Sequence, residues 1–173
     1  KNIESVPMFD GAKTISYDDG VADGRINYIP QSVIDSYLDE VSKQGIHTDL
    51  VKSSGLKVVY TPLNGTGNKP VRAILKKIGV EDVTVVPEQE YPDGNFPTCP
   101  FPNPEIKEAL AKGLELCNVV KPDLLLATDP DCDRVGIAVP SDNGYELFTG
   151  NEVGAMLLEY ICSERTKMGT MPA

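Results

Sequence analysis

This 173-residue chain is short of histidine and of cationic side chains. It has a single histidine, His47, and four cysteines, at 99, 117, 132 and 162, with no C-x-x-C pair among them. A zinc cage is therefore excluded as a reading, and nothing in the spacing asks for a disulfide framework. Lysine and arginine total 16 against 26 acidic residues, a net charge of -10. That balance repels a phosphate backbone, so no nucleic-acid partner is expected. No apolar run approaches the roughly 20 residues that a membrane helix needs. The opening KNIESVPMFD has no apolar signal-peptide centre, so no membrane partner is expected and a reducing cytoplasm is the expected setting. The length suits one core and little more. A start at Lys1 and a polar end, SERTKMGTMPA, suit a piece of a longer protein.

What the chain does have is an alternation of helical and strand patterns. Val33, Ile34, Tyr37, Leu38 and Val41 recur at helical spacing behind Pro30, which suits a first turn. LKVVY, residues 56–60, is a β-branched run ending at the turn-rich TPLNGTGN, and Val71, Ile74, Leu75 and Ile78 then return to helical spacing with Gly79 as a stop. VTVV, residues 83–86, is the next strand candidate. After it PEQEYPDGNFPTCPFP is too rich in proline for helix or central strand and reads as a long surface loop in which Tyr91 and Phe96 anchor the packing. Asn103 and Pro104 then predict a helix start, with Ile106, Leu110, Gly113, Leu114 and Cys117 on one face. DLLLA and RVGIAV are two further strands, NGYELF a hairpin return turning on Asn143 and Gly144, and Val153, Met156, Leu157, Tyr160 and Ile161 one face of a last helix. The pattern predicts an α/β three-layer sandwich with a mostly parallel, mixed sheet. A domain boundary is placed near Phe148, dividing residues 1–148 from 149–173.

The candidate site is LLLATDPDCDRVGIAV, residues 124–139, which crowds Asp129, Asp131 and Asp133 onto one loop with Arg134 behind them. Carboxylates at alternate positions converge on a hard divalent cation, which wants several oxygen ligands and cancels their mutual repulsion. Left without a cation, they would repel and one or more would have a raised pKa. The plainer reading is a solvated acidic turn. Placement at the carboxyl end of a buried strand favours the site, because ligands of open α/β sheets gather there. An EF-hand loop is rejected, since its glycine and glutamate positions hold Arg134 and Pro140. A haloacid-dehalogenase phosphatase continues its D-x-D with threonine or valine, where this chain has Asp133. Arg134 offers a bidentate cationic fork suited to a phosphate, its plainer role being a salt bridge to Asp131 or Asp133. The three aspartates are expected to point to solvent.

TDPDCDR, together with VVYTPLNGTG and FPNPE, resembles the α-D-phosphohexomutases, the phosphoglucomutase and phosphomannomutase enzymes, in their second domain. The resemblance runs from about Ile26 to Val139, and residues 149–173 look like the opening of the third domain. VPEQEYPDGNFPT is most similar to the bacterial phosphoglucomutase-like branch. The resemblance implies the phosphoglucomutase middle-domain fold and a four-domain enzyme that moves a phosphoryl group between carbons 1 and 6 of a hexose, through a phosphoserine and a bisphosphate. It implies Mg2+ as cofactor, Asp129, Asp131 and Asp133 as its ligands, and Arg134 as a contact to the hexose phosphate substrate or to the phosphoserine region. No catalytic serine is implied in this chain. Ser53, Ser54 and Ser141 lack the nucleophile's setting, and domains I, III and IV are the missing partners without which the chain is expected to be inactive. The alternative is a stand-alone module that binds a divalent cation or a sugar phosphate without catalysis. Asn64 stands where many relatives have histidine. Its loop, NGTG, reads either as a phosphate cradle or as a tight strand-to-helix turn. His47 reads as an exposed loop residue and Cys132 as tolerated rather than reactive.

Overall fold

A computed structural model describes residues 5, 7, 11 and 13–172. The reading of residues 1–10 as free of a signal-peptide centre falls, apart from Ser5 and Pro7, outside the described residues. Contacts group the chain into residues 1–36 and 37–173. Within the first unit, Ser16 caps a short helix α1, Tyr17–Ala22, by accepting from the Asp19 N–H, and the Tyr17 and Tyr28 hydroxyls share a hydrogen bond. Helix α2, Gln31–Ser42, follows Pro30 as the apolar spacing predicts.

In the second unit, α3 (Thr48–Ser54) precedes β1 (Lys57–Thr61), α4 (Asn68–Ile78), β2 (Asp82–Val85), α5 (Ala111–Val120), β3 (Leu124–Thr128), β4 (Val135–Ser141), β5 (Gly144–Phe148) and α6 (Gly150–Lys167). The strands form one sheet in the order β2-β1-β3-β4-β5. β1 pairs parallel with β2 and β3, while β4 pairs antiparallel with β3 and β5, so the mixed sheet has as many antiparallel as parallel ladders. The alternation along each strand splits its side chains between two cores. Val59, Leu125, Ala127 and Ala138 pack with Leu110 and Cys117 on the α5 face. Val58, Tyr60, Leu124 and Leu126 face Val71, Leu75 and Ile78 of α4 on the other. Helices thus cover both faces, the α/β/α arrangement read from the sequence.

Several local expectations are revised. The helix predicted from Asn103 begins at Ala111, and residues 103–110 form successive turns with three-residue hydrogen bonds, such as Ile106 N–H to the Asn103 carbonyl at 3.2 Å. The Asn103 side chain therefore caps no helix, and instead closes a local turn by accepting from Glu105 N–H at 3.0 Å. The local start signal gives way because Pro104 is wedged against β4, where a Cβ on Gly136 would lie 2.1 Å from the Pro104 oxygen. The β4–β5 turn centres on Asp142 and Asn143, with Gly144 (φ +115°) just after it. His47 is not a free loop residue, since its Nε2 lies 2.9 Å from Glu164 Oε2. Much of the polar C-terminal stretch is helix, as α6 runs to Lys167 behind a Thr149–Glu152 capping box. Tyr91 is 68% exposed, so its ring is not the buried packing anchor expected. No helix among the described residues is long and apolar enough to cross a membrane.

Candidate metal centre

After β1 the chain crosses to α4 and β2 on one side, and it returns through α5 to β3 on the other side of β1. The loops that leave the carboxyl ends of β1 and β3, residues 62–67 and 129–134, therefore sit side by side where the strand order reverses, the usual ligand position in such sheets. They are locked together. Thr66 donates to the Pro130 carbonyl from its backbone N–H (2.8 Å) and its hydroxyl (3.0 Å). A Cβ on Gly65 would lie 2.3 Å from Pro130 Cα, so that glycine is required by close approach. NGTG is thus a mould for the acidic loop, with the Thr66 N–H already engaged.

Asp129, Asp131 and Asp133 each bring one carboxylate oxygen within 4.8 Å of the others. Their environments differ. Asp129 is buried, with Oδ1 accepting from the N–H groups of Asp133 (3.0 Å) and Arg134 (2.9 Å), whereas Asp131 and Asp133 are exposed. The expectation that all three point to solvent therefore fails for Asp129, because the loop folds back over it through Cys132, whose φ is +65°. Burial pushes the Asp129 carboxyl upward, but the N–H donated by Arg134, the Asp131 and Asp133 side chains and the Asp133 N–H together hold it below its ordinary value. Asp133 moves the other way, raised by its side-chain contact with Asp129 and by the charges of Asp131 and Asp129. One of the three thus holds its proton more tightly, as the crowding predicts.

Arg134 is 54% exposed, and its Nε lies 3.2 Å from Asp129 Oδ2 and 3.8 Å from Asp133 Oδ1. Its main partner is therefore Asp129, outside the pair expected from sequence. The donor set is oxygen only, so it suits a hard divalent cation such as Mg2+ and offers nothing to a soft one.

Several supporting roles escaped the sequence reading. Beneath the loop, Tyr60 hydroxyl and Thr128 Oγ1 share a buried hydrogen bond of 2.9 Å, and a Cβ on Gly67 would collide with both groups and with Cys132 Sγ. Asn64, at φ +56°, clasps the proline loop, with Nδ2 donating to the carbonyls of Glu88 (3.3 Å) and Tyr91 (2.9 Å). Gln89 is fully buried, accepting from Thr61 Oγ1 at 2.7 Å and donating to Thr98 Oγ1 at 3.1 Å. A buried glutamine in a proline-rich loop was the available signal, since buried amides need fixed partners.

Residues 35–144 match the family model described as phosphoglucomutase/phosphomannomutase, alpha/beta/alpha domain II. A Staphylococcus saprophyticus phosphoglucomutase is 34% identical over 87% of this chain and 27% of its own length. A Saccharomyces cerevisiae phosphoribomutase is 38% identical over 79% of this chain and 24% of its own, and a Mus musculus phosphopentomutase 36% over 73% and 21%. The chain spans about a quarter of the length of these curated relatives. A Thermus thermophilus crystal structure, solved as a candidate phosphomannomutase, shares the fold at a TM-score of 0.52 and 23% identity, covering 65% of this chain and 25% of that one. With the match running from α2 to the β4–β5 turn and spanning the aspartate loop, the chain belongs to the phosphoglucomutase/phosphomannomutase family.

Proposed function

We propose that this chain is the metal-binding part of a cytoplasmic phosphosugar mutase that interconverts hexose 1-phosphate and hexose 6-phosphate through a phosphoserine and a bisphosphate. Residues 1–148 act as its second domain and residues 149–173 open its third. The observation that carries the reading is the trio of carboxylate oxygens within 4.8 Å at the end of β3, in a chain of this family. Asp129, Asp131 and Asp133 would hold Mg2+, which when bound offsets negative charge on the phosphoryl group in transfer. Asp129 is set for this by its two N–H donors, which keep it ionised and fix its orientation. Asp131 and Asp133 face solvent and supply the remaining protein oxygens. Arg134, more than half exposed, turns from Asp129 to present its guanidinium to a phosphate. The serine that carries the phosphoryl group belongs to another domain of the full polypeptide, so the chain alone is inactive.

The test is made on the complete polypeptide with glucose 1-phosphate and mannose 1-phosphate, with and without a chelator. Two relatives bear pentose-phosphate names, which adds ribose 1-phosphate as a competing substrate. The expected result is magnesium-dependent turnover of a hexose phosphate, lost on Asp131→Ala. Unchanged rate and magnesium dependence in that variant would overturn the reading.

A further inference from the structure

A second wall faces the aspartate loop. A cleft of about 380 Å³ is lined on one side by Asp129, Asp131 and Arg134 and on the other by Phe101, Pro102 and Asn103. The wall is fixed at its C-terminal end. The Pro104 carbonyl is pressed on Gly136 of β4, and Glu105 Oε1 accepts from Gly150 N–H at the start of α6 at 2.8 Å. Directly before these anchors, Asn103 has one end of its amide engaged. Its Oδ1 accepts from Glu105 N–H at 3.0 Å, which assigns Nδ2 to the other end, and Nδ2 has no hydrogen-bond partner among the described residues. Phe101, two residues before it, is 77% exposed on the same wall.

The chemistry of the cleft explains an amide there. Asp129 and Asp131 line the cleft with one guanidinium, whose Nε already sits beside Asp129. A lysine on the opposite wall would pair with Asp131 or Asp133 and compete with a cation for them. A neutral N–H2 donor does not, yet it still binds an anionic oxygen through a charge-assisted hydrogen bond. An exposed aromatic ring beside it offers an apolar surface to the C–H face of a sugar, and apolar lining with few placed polar groups is the ordinary make-up of a small-molecule site.

We propose that Asn103 is a substrate-binding residue of this site: its Nδ2 donates to a phosphoryl oxygen of a phosphosugar lying between Arg134 and the Phe101–Asn103 wall, with the Phe101 ring covering the sugar. The inference rests on the mutase reading above. The discriminating variant is Asn103→Asp, which keeps an acceptor for Glu105 N–H and so keeps the turn, while turning the free donor into a carboxylate. In the complete polypeptide with magnesium, Asn103→Ala should raise KM for glucose 1-phosphate, and its calorimetric Kd, about 10-fold or more, the size of one hydrogen bond to a charged group. Asn103→Asp should raise both further. In Asn103→Ala kcat and the magnesium activation constant should stay within about twofold, and Phe101→Ala should raise KM about 5-fold, as expected for a partly covered apolar contact. Wild-type KM and Kd for Asn103→Asp would overturn the inference, whether or not Asn103→Ala is impaired, because the turn alone would then account for the residue. Asp131→Ala assayed in parallel separates the two failures. If it is inactive while Asn103→Asp is normal, this inference falls alone; if it is fully active, the mutase reading falls first.

Discussion

Replacing Gly65 by alanine should force the two loops of the site apart. The added Cβ would stand 2.3 Å from Pro130 Cα, 2.6 Å from its oxygen and 2.8 Å from its carbonyl carbon, all backbone atoms with no rotamer to yield. Ordinary carbon contacts lie at about 3.5–4.0 Å, so a displacement of roughly 1 Å is required. Such overpacking costs about 1–3 kcal/mol. The same displacement lengthens the two Thr66 hydrogen bonds to Pro130, at 2.8 and 3.0 Å, each contributing about 1 kcal/mol. A total of about 3 kcal/mol lowers the melting temperature of a chain this size by roughly 6–12 °C. Thermal melts of the 173-residue chain, followed by circular dichroism, measure it, and magnesium titration should show weaker binding in the variant. Gly154→Ala is the control of opposite sign: nothing lies within 4 Å of its Cβ in helix α6, so the better helix former should stabilise by about 0.5–1 kcal/mol. A Gly65→Ala chain that melts within about 2 °C of wild type, well short of that shift, and binds magnesium equally would refute the rigid coupling of the two loops.

The three aspartates should separate by stability. Asp129→Ala leaves the N–H groups of Asp133 and Arg134 without their acceptor, at about 1–3 kcal/mol for each one kept from water, whereas Asp131→Ala and Asp133→Ala should change stability by less than about 0.5 kcal/mol. Urea unfolding of the three variants checks this, and equal midpoints would show that the burial of Asp129 has no energetic weight. Burial pushes the Tyr60 hydroxyl up to about 12, against the smaller lowering effect of its Thr128 hydrogen bond. A raised folded value destabilises nothing below the unfolded value near 10, where the hydroxyl is neutral in both states, and its contribution is lost as pH climbs from there through about 12. Wild type should therefore lose about 2 kcal/mol more than Tyr60→Phe between pH 10 and 12, the slope approaching roughly 1.4 kcal/mol per pH unit between the two values. Parallel pH profiles for the two proteins would contradict it. Thr149→Ala removes the capping box of α6, whose Oγ1 accepts from Glu152 N–H at 3.3 Å, and should cost about 1 kcal/mol in the same unfolding assay.

Sequence alone determined the periodic elements and the residues of the acidic loop. Gly79 could be read as a helix stop because the left-handed conformation it adopts, φ +98°, is written into a residue with no Cβ. Val58 to Tyr60 and Leu124 to Ala127 could be read as buried strands because apolar runs of that length have one economical use in an α/β layer. Asp129, Asp131 and Asp133 could be grouped because five residues of one loop cannot place them far apart. What the tertiary structure decided is everything that depends on which strands are neighbours. The pairing of β1 with β3 brings Thr66 onto Pro130, 64 residues away, and turns a glycine loop that resembled a phosphate cradle into a support for the aspartates. It also buries Asp129 and leaves its two companions in solvent, a difference that identical side chains two positions apart cannot express. The late start of α5 has the same origin. Asn103 and Pro104 carry a sound local helix signal, but Gly136 opens a slot on β4 that the Pro104 carbonyl fills, and Gly150 offers its N–H to Glu105. Contacts made across 32 and 45 residues outweigh a cap worth about 1 kcal/mol, and that contest is settled by packing, which has no local sequence signature.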